Sequence, residues 1–176
     1  MKINDLTVEA NQREFLETRY KQGDELMPTC LITDNKGQVR AFAMPFTNAE
    51  EKAFCVLTLR ALIAKLKAKE YAFVAQVRMG HLNGIAPSEQ ADSEEGVMFN
   101  VKKPTSSDDT LWQLTRNESG LREPIAPMKF NNAGGEFSDL FDIIPFTSLN
   151  STKKRKVEKT VKQLIKSDPL ITGLAL

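Results

Sequence analysis

The chain has 176 residues, 41% of them apolar and 27% charged, and carries a net charge of +1. That length suits a single domain (1–176) with a substantial core, and the composition is that of an ordinary soluble globular protein. No run of about 18 apolar residues is present to span a bilayer, and MKINDLTVEANQREF lacks the apolar stretch of a secretory signal.

Taken in chain order, LTVEANQREFLETRYKQ (6–22) predicts a first helix, and Gly23 stands where a left-handed cap belongs. TCLIT (29–33) and QVRAFAMPF (38–46), separated by DNKG, predict a hairpin. T-N-A-E at 47–50 reads as a capping box, with Thr47 and Glu50 as its two partners, before a helix over 49–70. Its apolar positions from Ala53 to Leu66 cover more than one stripe. This helix is therefore expected to lie on the sheet and to be roofed by another helix or by a partner chain.

YAFVAQVRM (71–79) alternates, which predicts a third strand, and EGVMFNVKK (95–103) a fourth. PTSSDDT is expected to turn the chain into a fifth strand, TLWQLTRN. LREPIAPMKF follows, where Pro124 and Pro127 permit only an edge or a bulge. After NNAGG, the segment EFSDLFDII suggests a short helix or irregular structure, and a basic helix with its tail (151–176) closes the chain. The expectation is an α+β fold, order α-β-β-α-β-β-β-α, on a mainly antiparallel sheet of about five strands with a central apolar helix and terminal helices.

Chemistry-bearing residues are sparse. His81 is the only histidine, with Glu89, Asp92, Glu94 and Glu95 following it in sequence. A general base or metal ligand there would need a fixed element and ligand spacing, and neither is evident, so no catalytic residue, metal site or cofactor is expected. His81, Glu89 and Asp92 remain the candidates should an enzymatic site exist. Cys30 and Cys55 sit in apolar stretches, as buried thiols of a reducing, cytoplasmic setting do. NNAGGEFSD (131–139) lacks the Lys-Ser/Thr of a phosphate-binding loop. Trp112, Phe73 and Phe99 are expected in the core rather than on a base-stacking platform.

Residues 71 to 101 carry an apolar strand, then Ala86-Pro87-Ser88-Glu89 and Ala91-Asp92-Ser93-Glu94-Glu95, then a second apolar strand. This stretch resembles a family of small uncharacterised bacterial and phage α+β proteins, with AQVRM where that family has SEAWM. The resemblance extends over residues 28 to about 120. It implies the same α+β order and no activity.

The sequence STKKRKVEKTVKQLIKSDP (151–169) holds seven of the 24 Lys and Arg residues. Residues 151–176 have a balance of +5, leaving 17 cations against 21 anions, or −4, over residues 1–150. Val157, Val161, Leu164 and Ile165 form an apolar stripe, and Glu158 precedes Lys162 at the spacing of a helical ion pair. Lys153, Lys154, Arg155 and Lys156 stand at the N-terminal end, where the helix dipole disfavours cations. KKRKV resembles a viral nuclear-import signal, but Thr152 replaces its proline and Val157 already belongs to a docking stripe. Lys153, Lys154, Arg155, Lys156 and Lys159 are instead the candidate anion- or partner-binding residues. Their counterpart is the acidic body, a partner protein or a nucleic acid. The functional expectation is a non-catalytic binding or protein-interaction domain, acting on a protein partner or by self-association. A nucleic-acid-associated protein is the alternative, and an enzyme centred on His81 the third reading.

Overall fold

The computed structural model describes residues 2–23, 25–80, 90–130 and 136–167. A 3-10 helix, Ile3–Thr7, leads into α1 (Glu9–Lys21), then β1 (Thr29–Thr33) and β2 (Val39–Ala43). α2 (Ala49–Leu66) follows, then β3 (Glu70–Met79), β4 (Glu94–Lys103), β5 (Ser106–Arg116) and β6 (Arg122–Phe130). A short α3 (Ile144–Thr147) precedes α4 (Ser151–Ser167).

All six strands join one antiparallel sheet in the order β2-β1-β3-β4-β5-β6. The α+β class and antiparallel sheet are as expected, but there are six strands rather than about five. The added strand is the proline-bearing β6. It sits at the sheet edge, and its register against β5 shifts between Trp112 and Leu114. A ladder N–H is missing at Pro124 and Pro127, and an edge strand with an irregular register tolerates that loss.

The β1–β2 turn is built by Asp34, whose Oδ1 accepts from the amides of Lys36 and Gln38, both at 2.9 Å. Gly37 closes the turn at φ 81°, a backbone angle that glycine adopts without steric cost. β5 begins at Ser106, so the predicted turn over PTSSDDT shrinks to Pro104–Thr105. Asp108 and Asp109 therefore belong to the strand.

Alternation gives the sheet two cores. Cys30, Ile32, Phe42, Tyr71, Phe73 and Ala75 face α2, which carries the chain from β2 across β1 to β3. Leu31, Ala72, Val74, Val97, Phe99, Val101 and Trp112 face the other way, against Ile3, Leu6, Leu16 and Tyr20. Trp112, Phe73 and Phe99 are all buried, as core residues rather than a platform.

The apolar excess of α2 has its explanation in α4, whose Val157 and Val161 bury against the helix surface opposite the sheet. The roof over α2 is thus a segment of the same chain. The cap of α2 lies one residue later than the sequence suggests. Asn48 is the N-cap and accepts from the Glu51 amide at 2.9 Å. Glu51, not Glu50, reaches back to the Thr47 amide and hydroxyl at 2.7 and 2.8 Å. Those bonds hold the Glu51 carboxyl below its usual range.

Candidate functional site

α4 begins on Asn150, whose side chain accepts from the Lys153 amide at 2.9 Å. This cap satisfies an amide at a helix start that has no acidic residue in its first turn. The apolar stripe then fixes the helix's rotation. Val157 and Val161 point at α2, with Leu164 and Ile165 packed partly buried beside them. At 100° per residue, Arg155, Lys159, Lys162 and Lys166 fall together on the opposite side. All four are exposed, in a line about 16 Å long at 1.5 Å per residue.

The five predicted cations divide into two groups. Lys154 Nζ lies 5.5 Å from the centre of the Phe146 ring, and Lys156 Nζ lies 5.0 Å from that of Phe54. These two ammonium groups rest on aromatic faces, which attract cations. Lys153, Arg155 and Lys159 are exposed. Among the described residues no carboxylate lies within 4.0 Å of any of the five. The helical pair expected between Glu158 and Lys162 is likewise not closed to 4.0 Å. Both side chains border a groove of about 490 Å³ formed with Ala61, Ala64, Phe146 and Val161.

Of the candidates for an enzymatic site, His81 and Glu89 lie outside the described residues. Asp92 is exposed on the turn leading into β4. Among the described residues no three of His, Cys, Asp and Glu are placed to hold a metal ion. Cys30 is fully buried, and burial pushes its thiol pKa well up. Burial also raises that of Cys55, with the Glu51 charge adding to the effect. Neither sulfur has the cationic surroundings that make a reactive thiolate.

Two polar clusters escape a reading of the sequence. On the α2 side of β4 and β5, Lys102 Nζ lies 2.6 Å from Asp109 Oδ2, and the Asn100 amide donates to Asp109 Oδ1 at 3.0 Å. Register places Tyr71 directly opposite Lys102. The Tyr71 hydroxyl donates to the Phe137 carbonyl and accepts from the Leu140 amide, each at 3.1 Å, while burial raises its pKa. Phe137 stacks on Phe73 with ring centres 4.0 Å apart, so this cluster is sealed under a packed segment. The signal was present in β4, where Met98, Asn100 and Lys102 alternate against Val97, Phe99 and Val101.

The second cluster joins Glu95 to Arg122 at 2.9 Å and to Arg116 at 3.1 Å. The hydrogen bond from Arg122 is the main reason the Glu95 carboxyl sits below its usual range. Arg122 also lies over the ring of Tyr20, whose buried hydroxyl has no hydrogen-bond partner among the described residues and whose pKa is pushed up to about 12 by burial. In the first cluster Lys102 and Asp109 offset each other, and in the second Glu95 is shared by two guanidinium groups, arrangements that suit structure better than reaction. No protein-family model, curated protein or solved structure matches the chain.

Proposed function

We propose that this chain is a non-catalytic binding protein whose working surface is the solvent face of α4, and that this face meets a nucleic-acid backbone. The observation that carries the reading is the line Arg155, Lys159, Lys162 and Lys166, exposed and without a carboxylate within 4.0 Å among the described residues. Duplex phosphates recur every 3.4 Å along one strand, so a line of about 16 Å faces about five of them. The line holds no aromatic or aliphatic anchor. Protein interfaces concentrate such anchors at their centres and are depleted in lysine, whereas phosphate contacts need only Lys and Arg.

Four phosphate contacts give a log–log salt slope of about −3.6 on duplex DNA, or about a hundredfold weakening between roughly 50 and 200 mM salt. Fluorescence polarisation with labelled duplex and single-stranded oligonucleotides measures this slope. Binding at low salt that is lost in Arg155→Glu/Lys159→Glu/Lys162→Glu/Lys166→Glu is the expected result. No binding at low salt, or binding indifferent to those substitutions, overturns the reading.

A protein partner is the second reading. What favours it is apolar surface on β6 and α3, where Ile125, Met128, Phe130 and Ile144 are 48%, 43%, 40% and 69% exposed. A cytoplasmic setting is part of either proposal.

A further inference from the structure

The two edges of the sheet are not alike. At β6, Pro124 and Pro127 offer no N–H, and Arg13 donates to the carbonyls of Pro124 and Ile125 at 3.5 and 3.0 Å. That edge is blunted in the way sheet proteins prevent strand addition. β2 has no proline, and among the described residues no side chain bonds to its outward backbone groups.

The phase of its ladder follows from its ends. Asp34 N donates to Gln38 O at 2.9 Å, and Met44 N to Pro28 O at 2.7 Å. With the register Cys30↔Phe42 and Ile32↔Arg40, the bonds to β1 belong to Gln38, Arg40, Phe42 and Met44. The N–H and C=O groups of Val39, Ala41 and Ala43 therefore point away from the sheet, and among the described residues no bond to them is made.

We infer that β2 is a self-association edge, and that a second copy of this chain pairs with it antiparallel about a two-fold axis at Ala41. The inference does not rest on nucleic-acid binding. A strand paired antiparallel with its own copy about residue 41 sets position i opposite position 82 − i. Val39 then meets Ala43, Ala41 meets Ala41, and Ala43 meets Val39. These are the three residues whose backbone groups point outward, so every outward donor finds an acceptor. The intervening pair sets Arg40 opposite Phe42, which keeps the two arginines from facing each other across the axis.

Side chains agree with the backbone. Val39 and Ala41 pack toward α1, beside a mostly apolar cleft of about 370 Å³ lined by Phe15, Leu26, Met27, Leu31, Ala41 and Ala43, with Arg19 and Glu25 also on its wall. Ala43 and Met27 are exposed on its rim, Met27 by 51%. Two-fold pairing brings two such clefts together across the axis and supplies an apolar contact beneath the ladder. Because β2 has five residues, the ladder has only three hydrogen-bonded pairs and the dimer is one of concentration-dependent equilibrium, not a permanent one.

Sedimentation equilibrium over a concentration series, with Ala41→Pro and Ala41→Cys variants, tests this. Proline at an edge position whose N–H faces solvent is compatible with the strand but removes two ladder bonds at the axis. The expected result is a wild-type monomer–dimer equilibrium that Ala41→Pro shifts to monomer. In a Cys55→Ser background, Ala41→Cys forms a disulfide-linked dimer on mild oxidation, since paired Cα atoms sit about 5.5 Å apart. Val39→Cys does not, because its copy is displaced by four residues, about 14 Å along the strand. A monomer at every concentration, a dimer unaffected by Ala41→Pro, or cross-linking of Ala41→Cys no greater than that of Val39→Cys overturns the inference. Should Ala41→Pro fail to fold by circular dichroism, the comparison of the two cysteine variants decides.

Discussion

Lys102 on β4 and Asp109 on β5 lie two residues apart in register and form a 2.6 Å ion pair with side chains only 7% and 0% exposed. A charge pair that deep is costly to halve. Lys102→Met removes the Lys102 ammonium from the buried Asp109 carboxylate and should destabilise the fold by about 3–5 kcal/mol. Replacing both, as Lys102→Met/Asp109→Leu, should cost much less than the sum of the single changes. Urea denaturation of the two single variants and the double variant measures the difference. Additive losses would mean that the pair contributes nothing as a pair.

Glu95 should set part of the acid sensitivity. Its carboxyl is held below the usual range in the folded chain, chiefly by the hydrogen bond from Arg122. A depressed carboxyl stabilises the fold above its unfolded pKa of about 4.3, and that contribution disappears as pH falls through the folded value. Thermal melts of wild type and Glu95→Gln across acid pH should therefore converge as pH drops below about 4. Above that range the wild type should melt higher. Parallel curves would remove Glu95 from the account.

Lys67 ends α2 in the left-handed region, at φ 49° and ψ 53°, while the Ala68 amide bonds back to the Ile63 carbonyl at 3.0 Å. A side chain at that position is strained where glycine is not. Lys67→Gly should raise stability by about 0.5–1 kcal/mol. A lower denaturation midpoint would show that the lysine side chain contributes more than its backbone costs.

The two faces of α4 should separate cleanly by mutation. Val157→Ala removes buried packing against α2 and should cost about 2 kcal/mol. Arg155→Ala, on the solvent face, should change stability by no more than about 0.5 kcal/mol while weakening any polyanion binding. Denaturation midpoints and binding isotherms of the same two variants provide the test.

Much of the fold was legible locally. The alternation of Tyr71, Phe73 and Ala75 placed β3, Pro124 and Pro127 restricted their segment to an edge or a bulge, and the Val157–Val161 stripe marked a docking helix. Three features were misread for physical reasons. Asp108 and Asp109 resemble turn residues until Lys102 and Asn100 on β4 meet Asp109 in register. The α2 cap moved from Thr47 to Asn48 because Asn48 and Glu51 divide the two capping bonds. The ion pair between Glu158 and Lys162 has the right spacing, but both side chains border the groove beside α2.

The sequence by itself determined the α+β class, the apolar surplus of α2 and the two-sided chemistry of α4. These properties arise from residues within a turn of helix or a few positions of strand, where periodicity and side-chain type suffice. Only the tertiary structure decided that α4 roofs α2, that Lys154 and Lys156 lie over the rings of Phe146 and Phe54, and that β2 and β6 become the sheet's edges. Those outcomes depend on which distant surfaces bury one another, and burial between elements far apart in the chain has no local periodicity to announce it.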